Sequence, residues 1–221
     1  MARTPHFMIA AMAGIFVLLS MSWAHANNAI CDPNATLNDR AKSYRMAGRL
    51  DEADRTVQQI LRRSPDDFRG NYNKGLIMLD RAHRGDTSRM PGIRQLVKTA
   101  EFLPMHGKMQ ACAKGNNFYS IYNTIGVEFY NLPDLKAAEK YFELANQYRN
   151  YLNEDTKAKL FDNLGLIQLR LKHDSGCAAA YFQESANHGL HNGSLHLVIA
   201  ERDIKFTGES LGCHQVTARN P

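Results

Sequence analysis

Apolar and small residues fall along this chain in helical registers that come in pairs. Tyr122, Ile125, Gly126 and Phe129 share one face of a predicted helix, and Ala138, Phe142 and Ala145 share one face of a second. Asn131, Leu132, Pro133 and Asp134 supply the turn between them, with Asp134 placed to cap the second helix. Gly126 and Ala138 are twelve residues apart, Phe142 follows four later and Ala145 three after that. Small residues at these places let two helices cross closely, and the aromatic ring fills the space between them.

The same frame recurs. In a first copy Leu37, Ala41 and Tyr44 lie on the leading helix, and Ala53, Val57, Ile60 and a terminating Pro65 follow the turn at residues 48–53. In a second, Gly75 anchors the leading helix and Leu96, Ala100 and Pro104 mark its partner. The connection there is about five residues longer and carries Arg84, Gly85 and Asp86. The hairpin around Gly126 is the third copy. The fourth begins at Phe161, Leu164 and Gly165 and is completed, one residue late, by Ala178, Phe182, Ser185 and Ala186. Insertions are expected at residues 107–118, around Cys112, and at residues 153–157. A last helix over residues 190–206 would cover the open end, as stacked arrays require. The tail, residues 207–221, is polar and glycine-rich.

These residues resemble the tetratricopeptide repeat family, and the stretch from Ala178 to Gly189, with Gly193 and Leu197, resembles the Sel1-like repeat. The resemblance spans roughly residues 34–206. It implies an all-α fold: a right-handed superhelical solenoid of about four helix pairs, plus a C-terminal capping helix. It also implies a concave groove lined by the leading, or A, helices. Projecting the frame places Asn38, Lys42 and Arg45 there from the first copy, and Arg69, Tyr72 and Asn73 from the second. Asn123, Tyr130 and Asn131 come from the third, and Lys159, Asp162 and Asn163 from the fourth. Such a lining suits a protein or peptide: Asn can bond an extended backbone, Lys and Arg a carboxylate, and Tyr offers area with a polar tip. Some members of the family clamp a C-terminal carboxylate. Asn73 agrees with that pattern, but Ser120 and Thr124 replace the basic residues expected in the next copy. The stacking further implies which cysteines share an edge, Cys31 with Cys112 and Cys177 with Cys213, and therefore pair.

The N-terminus adds a compartment. Arg3 precedes an apolar run from Phe7 to Leu19, and Ala24-His25-Ala26 closes it, as in a secretory signal peptide cleaved after Ala26. The domains expected are thus a signal at residues 1–26, a helical repeat domain at 27–206 and a disulfide-held tail at 207–221. Four cysteines in an exported chain suit two disulfides. The location expected is periplasmic or secreted. The alternative is an uncleaved anchor that holds the domain on the periplasmic side. The net charge of +5, or +4 without Arg3, comes with no run of like charges, so a nucleic-acid surface is not indicated. No second apolar stretch approaches membrane length, so no stable membrane insertion is expected after cleavage.

No catalytic constellation emerges. There is no nucleophile elbow, phosphate loop or H-E-x-x-H pattern, and His188, His191 and His196 are poorly spaced for one metal. Catalytic residues, metal ligands and cofactors are expected to be absent. The expected function is that of an exported adaptor binding a protein or peptide, in cell-envelope, secretion or pilus assembly. A Sel1-like cell-wall-associated enzyme and a secreted effector are the alternatives.

Overall fold

The computed structural model describes residues 32–105, 112, 117–190, 193, 196 and 200. It is all-helical, with no strand among the described residues. The helices are α1 (Ala35–Met46), α2 (Leu50–Arg63), α3 (Phe68–His83), α4 (Met90–Ala100), α5 (Ser120–Asn131), α6 (Leu135–Gln147), α7 (Glu154–Ile167) and α8 (Ser175–Asn187). A single helical turn, Phe102–Met105, follows α4. A 3-10 turn, Arg149–Tyr151, precedes α7, and a π-helical stretch, Gln168–Lys172, continues it. Gly193, His196 and Ala200 are helical. The expected signal segment, the tail and the rest of the expected final helix lie outside the described residues.

Capping explains several helix starts. Asp67, Asp134, Asn153 and Asp174 each accept a backbone N–H from the first turn of α3, α6, α7 and α8. Asp134 does so from Ala137 N at 3.1 Å, as its place in the turn suggested. Between α1 and α2 the chain reverses through Gly48 at φ +74°, a backbone state that glycine adopts without steric cost.

Helices pack mainly on their neighbours in the chain. α1 packs on α2, α3 on α4, α5 on α6 and α7 on α8. α2 also meets α3, α4 meets α5, and α6 meets α7, while α1 touches α3 and α5 touches α7. The small positions sit where each pair crosses. Ala41, Ala53 and Val57 are buried between α1 and α2, Ile60 faces Gly70 of α3, and Ala138, Phe142 and Ala145 are buried beside α5. A Cβ added at Gly126 would lie 2.5 Å from Phe142 Cε1, so no larger residue fits under that ring. Gly165 serves Phe182 in the same way in α7 and α8.

The second pair keeps only part of the expected frame. Gly75 lies under Leu96, as the frame predicts: a Cβ added at Gly75 would be 2.5 Å from Leu96 Cδ2, and beside it a Cβ on Gly92 would sit 3.1 Å from the Gly75 carbonyl oxygen and 2.8 Å from Leu79 Cγ. Gly92, Leu96 and Thr99 thus fill the crossing, all buried. Ala100 is the last residue of α4, and Pro104 lies in the separate turn beyond it. Residues 153–157 are not an inserted loop. Asn153 caps α7 and the rest form its first turn; the extra length is taken up by the 3-10 turn before it.

Two apolar cores dominate. One, Ala41, Leu50, Ala53, Val57 and Ile77, joins α1 and α2 to α3. The larger runs from Phe68 and Leu96 through Phe118, Tyr119, Tyr122 and Phe142 to Phe161 and Tyr181. A third cluster, Ala178, Phe182 and Ala200, brings the C-terminal helical segment onto α8.

Candidate partner-binding cleft

α1, α3 and the start of α5 enclose a cleft of about 400 Å³. Lys42 and Arg45 line it from α1, and Arg69, Tyr72, Asn73 and Leu76 from α3. Phe68 and Phe118, with ring centroids 4.5 Å apart, add an aromatic wall, and Asn117 and Ser120 close one end. Five of the twelve projected groove residues therefore meet in one place. Phe68, Leu76, Asn117 and Phe118 were not anticipated. Phe68 and Leu76 lie on a helix whose small-residue frame drew attention to other positions, and Asn117 and Phe118 belong to an expected insertion.

The charges in the cleft are mostly spoken for. Arg45 Nη1 donates to Asp80 Oδ2 at 3.0 Å, while its Nε is buried without a hydrogen-bond partner. The Arg69 guanidinium joins Asp32 and Asp39. Burial disfavours the Arg69 cation, but its bonds to Asp39 and Asp32 outweigh that and hold it above its ordinary value. Lys42 is exposed and makes no ion pair among the described residues, so it leaves the cleft one uncompensated positive charge.

Other projected residues are engaged with one another. Asn38 is buried and donates to Asp32 Oδ1 at 3.0 Å and Asp67 Oδ1 at 3.1 Å. Asn73 reaches the Asn38 side chain at 3.4 Å. Tyr72 Oη and Thr124 Oγ1 are 3.1 Å apart, and Asn163 Nδ2 donates to Asn123 Oδ1 at 3.0 Å. Asp162 Oδ1 lies 2.7 Å from His196 Nδ1. These bonds form a polar ladder from each leading helix to the next. In the frame, a residue three before the small position meets one two before it in the following helix. At the C-terminal end Asp162, three before Gly165, bonds His196 of the last helical segment. An Asn in this ladder has its donor or acceptor committed within the protein.

The remaining projected residues stand apart from the cleft. Lys159 is exposed and bonded to Asp155 at 2.7 Å. Asn131 is exposed at the end of α5. Tyr130 is half-buried beneath Arg170, whose guanidinium carbon is 4.9 Å from the ring centroid.

No group of three or more His, Cys, Asp or Glu side chains among the described residues is arranged to hold a metal ion. His188 Nδ1 lies 2.5 Å from Glu154 Oε2 and stacks on Phe161. Bonds to Lys157 and His188 hold the Glu154 carboxyl below its usual range. Cys112 and Cys177 are buried and disulfide-bonded. Both expected pairings need Cys31 or Cys213, which lie outside the described residues. No helix among the described residues is long and apolar enough to cross a membrane.

Comparison of the sequence with protein-family models finds no match, and comparison with curated proteins finds none either.

Proposed function

We propose that this chain is an exported tetratricopeptide-type scaffold, a right-handed solenoid of four helix pairs with a C-terminal cap, that holds a protein or peptide partner along its leading helices in cell-envelope, secretion or pilus assembly. The observation that carries this reading is the cleft. It combines aromatic and aliphatic walls with an uncompensated ammonium and lies across two successive leading helices, within the volume range of ligand sites. The polar ladder beside it supports the same reading. A surface meant to receive a partner is better preorganised when its side chains are already tied in place. Because Asn38, Asn73 and Asn123 are buried in that ladder, contact with a partner falls to Lys42, Tyr72 and Leu76.

A photo-crosslinking residue at Leu76 tests this against one at Gln58, on the exposed face of α2. Crosslinks to one defined partner from position 76 and none from 58 are expected. The double variant Lys42→Met, Tyr72→Ala is expected to weaken that partner's binding about tenfold or more, with helix content unchanged. Equal affinity, or crosslinks from Gln58 alone, would reject the cleft.

A further inference from the structure

The extra residue in the fourth helix pair has a visible fate. Ala178 follows Gly165 one residue later than Ala138 follows Gly126. That residue is taken up by the π-helical stretch Gln168–Lys172, after which His173 turns the chain at φ +57°. A π turn closes each hydrogen bond over one residue more than an α turn, so it stores an insertion and rotates the side chains it carries. Here it carries Arg170 onto the Tyr130 ring of α5, while Lys172 bonds Glu139 of α6 at 2.9 Å.

Tyr130 lies four residues past Gly126, the place that Arg45, a residue of the cleft, holds relative to Ala41. In the frame, Tyr130 and Arg45 thus occupy equivalent places on leading helices. Arg170 is exposed and has no ion-pair partner among the described residues. The Asp162 carboxylate is bonded instead to His196. Even with one bond to Tyr130, a guanidinium carries five N–H donors, and two of them side by side match a carboxylate in paired geometry.

We propose that the π-helical insertion builds a second contact site, Arg170 on Tyr130, and that it takes a carboxylate side chain from an acidic segment of the partner. This rests on the leading-helix reading above and names the chemistry of its far end. The arrangement is specific to Arg. A lysine would keep the charge but lose both the planar guanidinium over the ring and the paired donors.

The test uses the exported chain, isotopically labelled, with a blocked peptide carrying three glutamates and the same peptide carrying glutamines. The glutamate peptide is expected to shift the Arg170 Nε–H and Tyr130 ring resonances and to bind about tenfold tighter or more than the glutamine peptide. R170Q should abolish that preference and R170K should lose most of it, with unchanged thermal unfolding in both. Deleting His173, which restores the shorter spacing, should unstack Arg170 and give the same loss. The proposal is overturned if R170Q keeps the full preference, or if the His173 deletion folds and keeps it. Loss of glutamate-peptide binding in Lys42→Met but not in R170Q would leave the cleft standing and remove Arg170. Shifts confined to α2 and α4 would remove both.

Discussion

Around α1 and α2 the buried apolar set is small and aliphatic, Ala41, Leu50, Ala53, Val57 and Ile77. Around α5 and α6 it is large and aromatic. Tyr119 stacks on Tyr148 at 4.2 Å and 8°, Tyr122 lies 5.8 Å from Tyr148, and Phe142 fills the crossing with Gly126. The polar complement runs the other way. α1 and α2 are fastened to α3 by directed bonds. Asp67 accepts from Gly70 N, Asn34 and Asn38, Arg45 holds Asp80, and Arg81 holds Asp51 at 2.8 Å. Between α3 and α5 the links are ring contacts, one hydroxyl bond and His83 beside Glu128. That carboxylate is 6% exposed, and its Oε2, 3.5 Å from His83 Nε2, makes no hydrogen bond. Helix register can be set by side-chain volume or by directed polar bonds. Where the apolar residues are small, this protein uses the second, because a buried polar network is satisfied in only one arrangement.

The largest expected effect is on the aromatic side. Phe142→Ala should cost about 3–5 kcal/mol, since it leaves a ring-sized cavity against Gly126. Val57→Ala should cost less, and equal losses in urea unfolding would break the contrast between the cores. Next comes Asp67→Ala, which strands the Gly70 N–H and removes one of two acceptors from each of Asn34 and Asn38, and should cost about 1–3 kcal/mol. Hydrogen exchange should report faster opening of α1 and α2 with α5 and α6 unchanged; uniform loss of protection would show that the two regions are one cooperative unit. The third expectation concerns alkali. Burial, with Tyr148 and Tyr119 adding to it, pushes the Tyr122 phenol up from 10.0 to about 12, and Tyr119 is pushed in the same direction. The folded state therefore favours the neutral phenol. That stability is full below the unfolded value of 10.0 and is lost as pH rises through about 12. Tyrosinate absorbance should show the Tyr122 ring ionising well above the ordinary phenol range and the Tyr119 ring above it too, together with loss of the α5–α6 fold. Their titration at the ordinary value with the fold intact would contradict the packing seen here.

Much of the architecture was legible beforehand. The third pair was read correctly at Gly126, Ala138, Phe142, Ala145 and the Asp134 cap, because spacing and turn chemistry are local properties of the chain. The second pair was legible only in part. Gly92 went unnoticed because a glycine is small everywhere, and only the neighbouring helix shows that Gly75 comes close to it. In the site, Lys42, Arg45, Arg69, Tyr72 and Asn73 were placed on the right helices, yet nothing in their periodicity revealed that Asp80, Asp32 and Asp39 would neutralise the two arginines. Those partners lie 35, 37 and 30 residues away in the chain. The single extra residue after Gly165 was visible as a count, but its conversion into a π turn was not.

The sequence by itself determined that this chain forms helices, the Asp134 start of α6, and which small and aromatic positions face a neighbour. Each of these follows from backbone preferences and from a helical period that any short window displays. The tertiary structure alone decided which of the polar residues on the leading helices are spent and which are free. That depends on groups brought within 3 Å by folding: Asn38 on Asp32, Asn123 on Asn163, and Asp162 on His196. Lys42 and Arg170 are as polar as these residues but meet no such partner among the described residues. Their exposure beside aromatic rings without an ion-pair partner is what singles them out for the partner contacts proposed above.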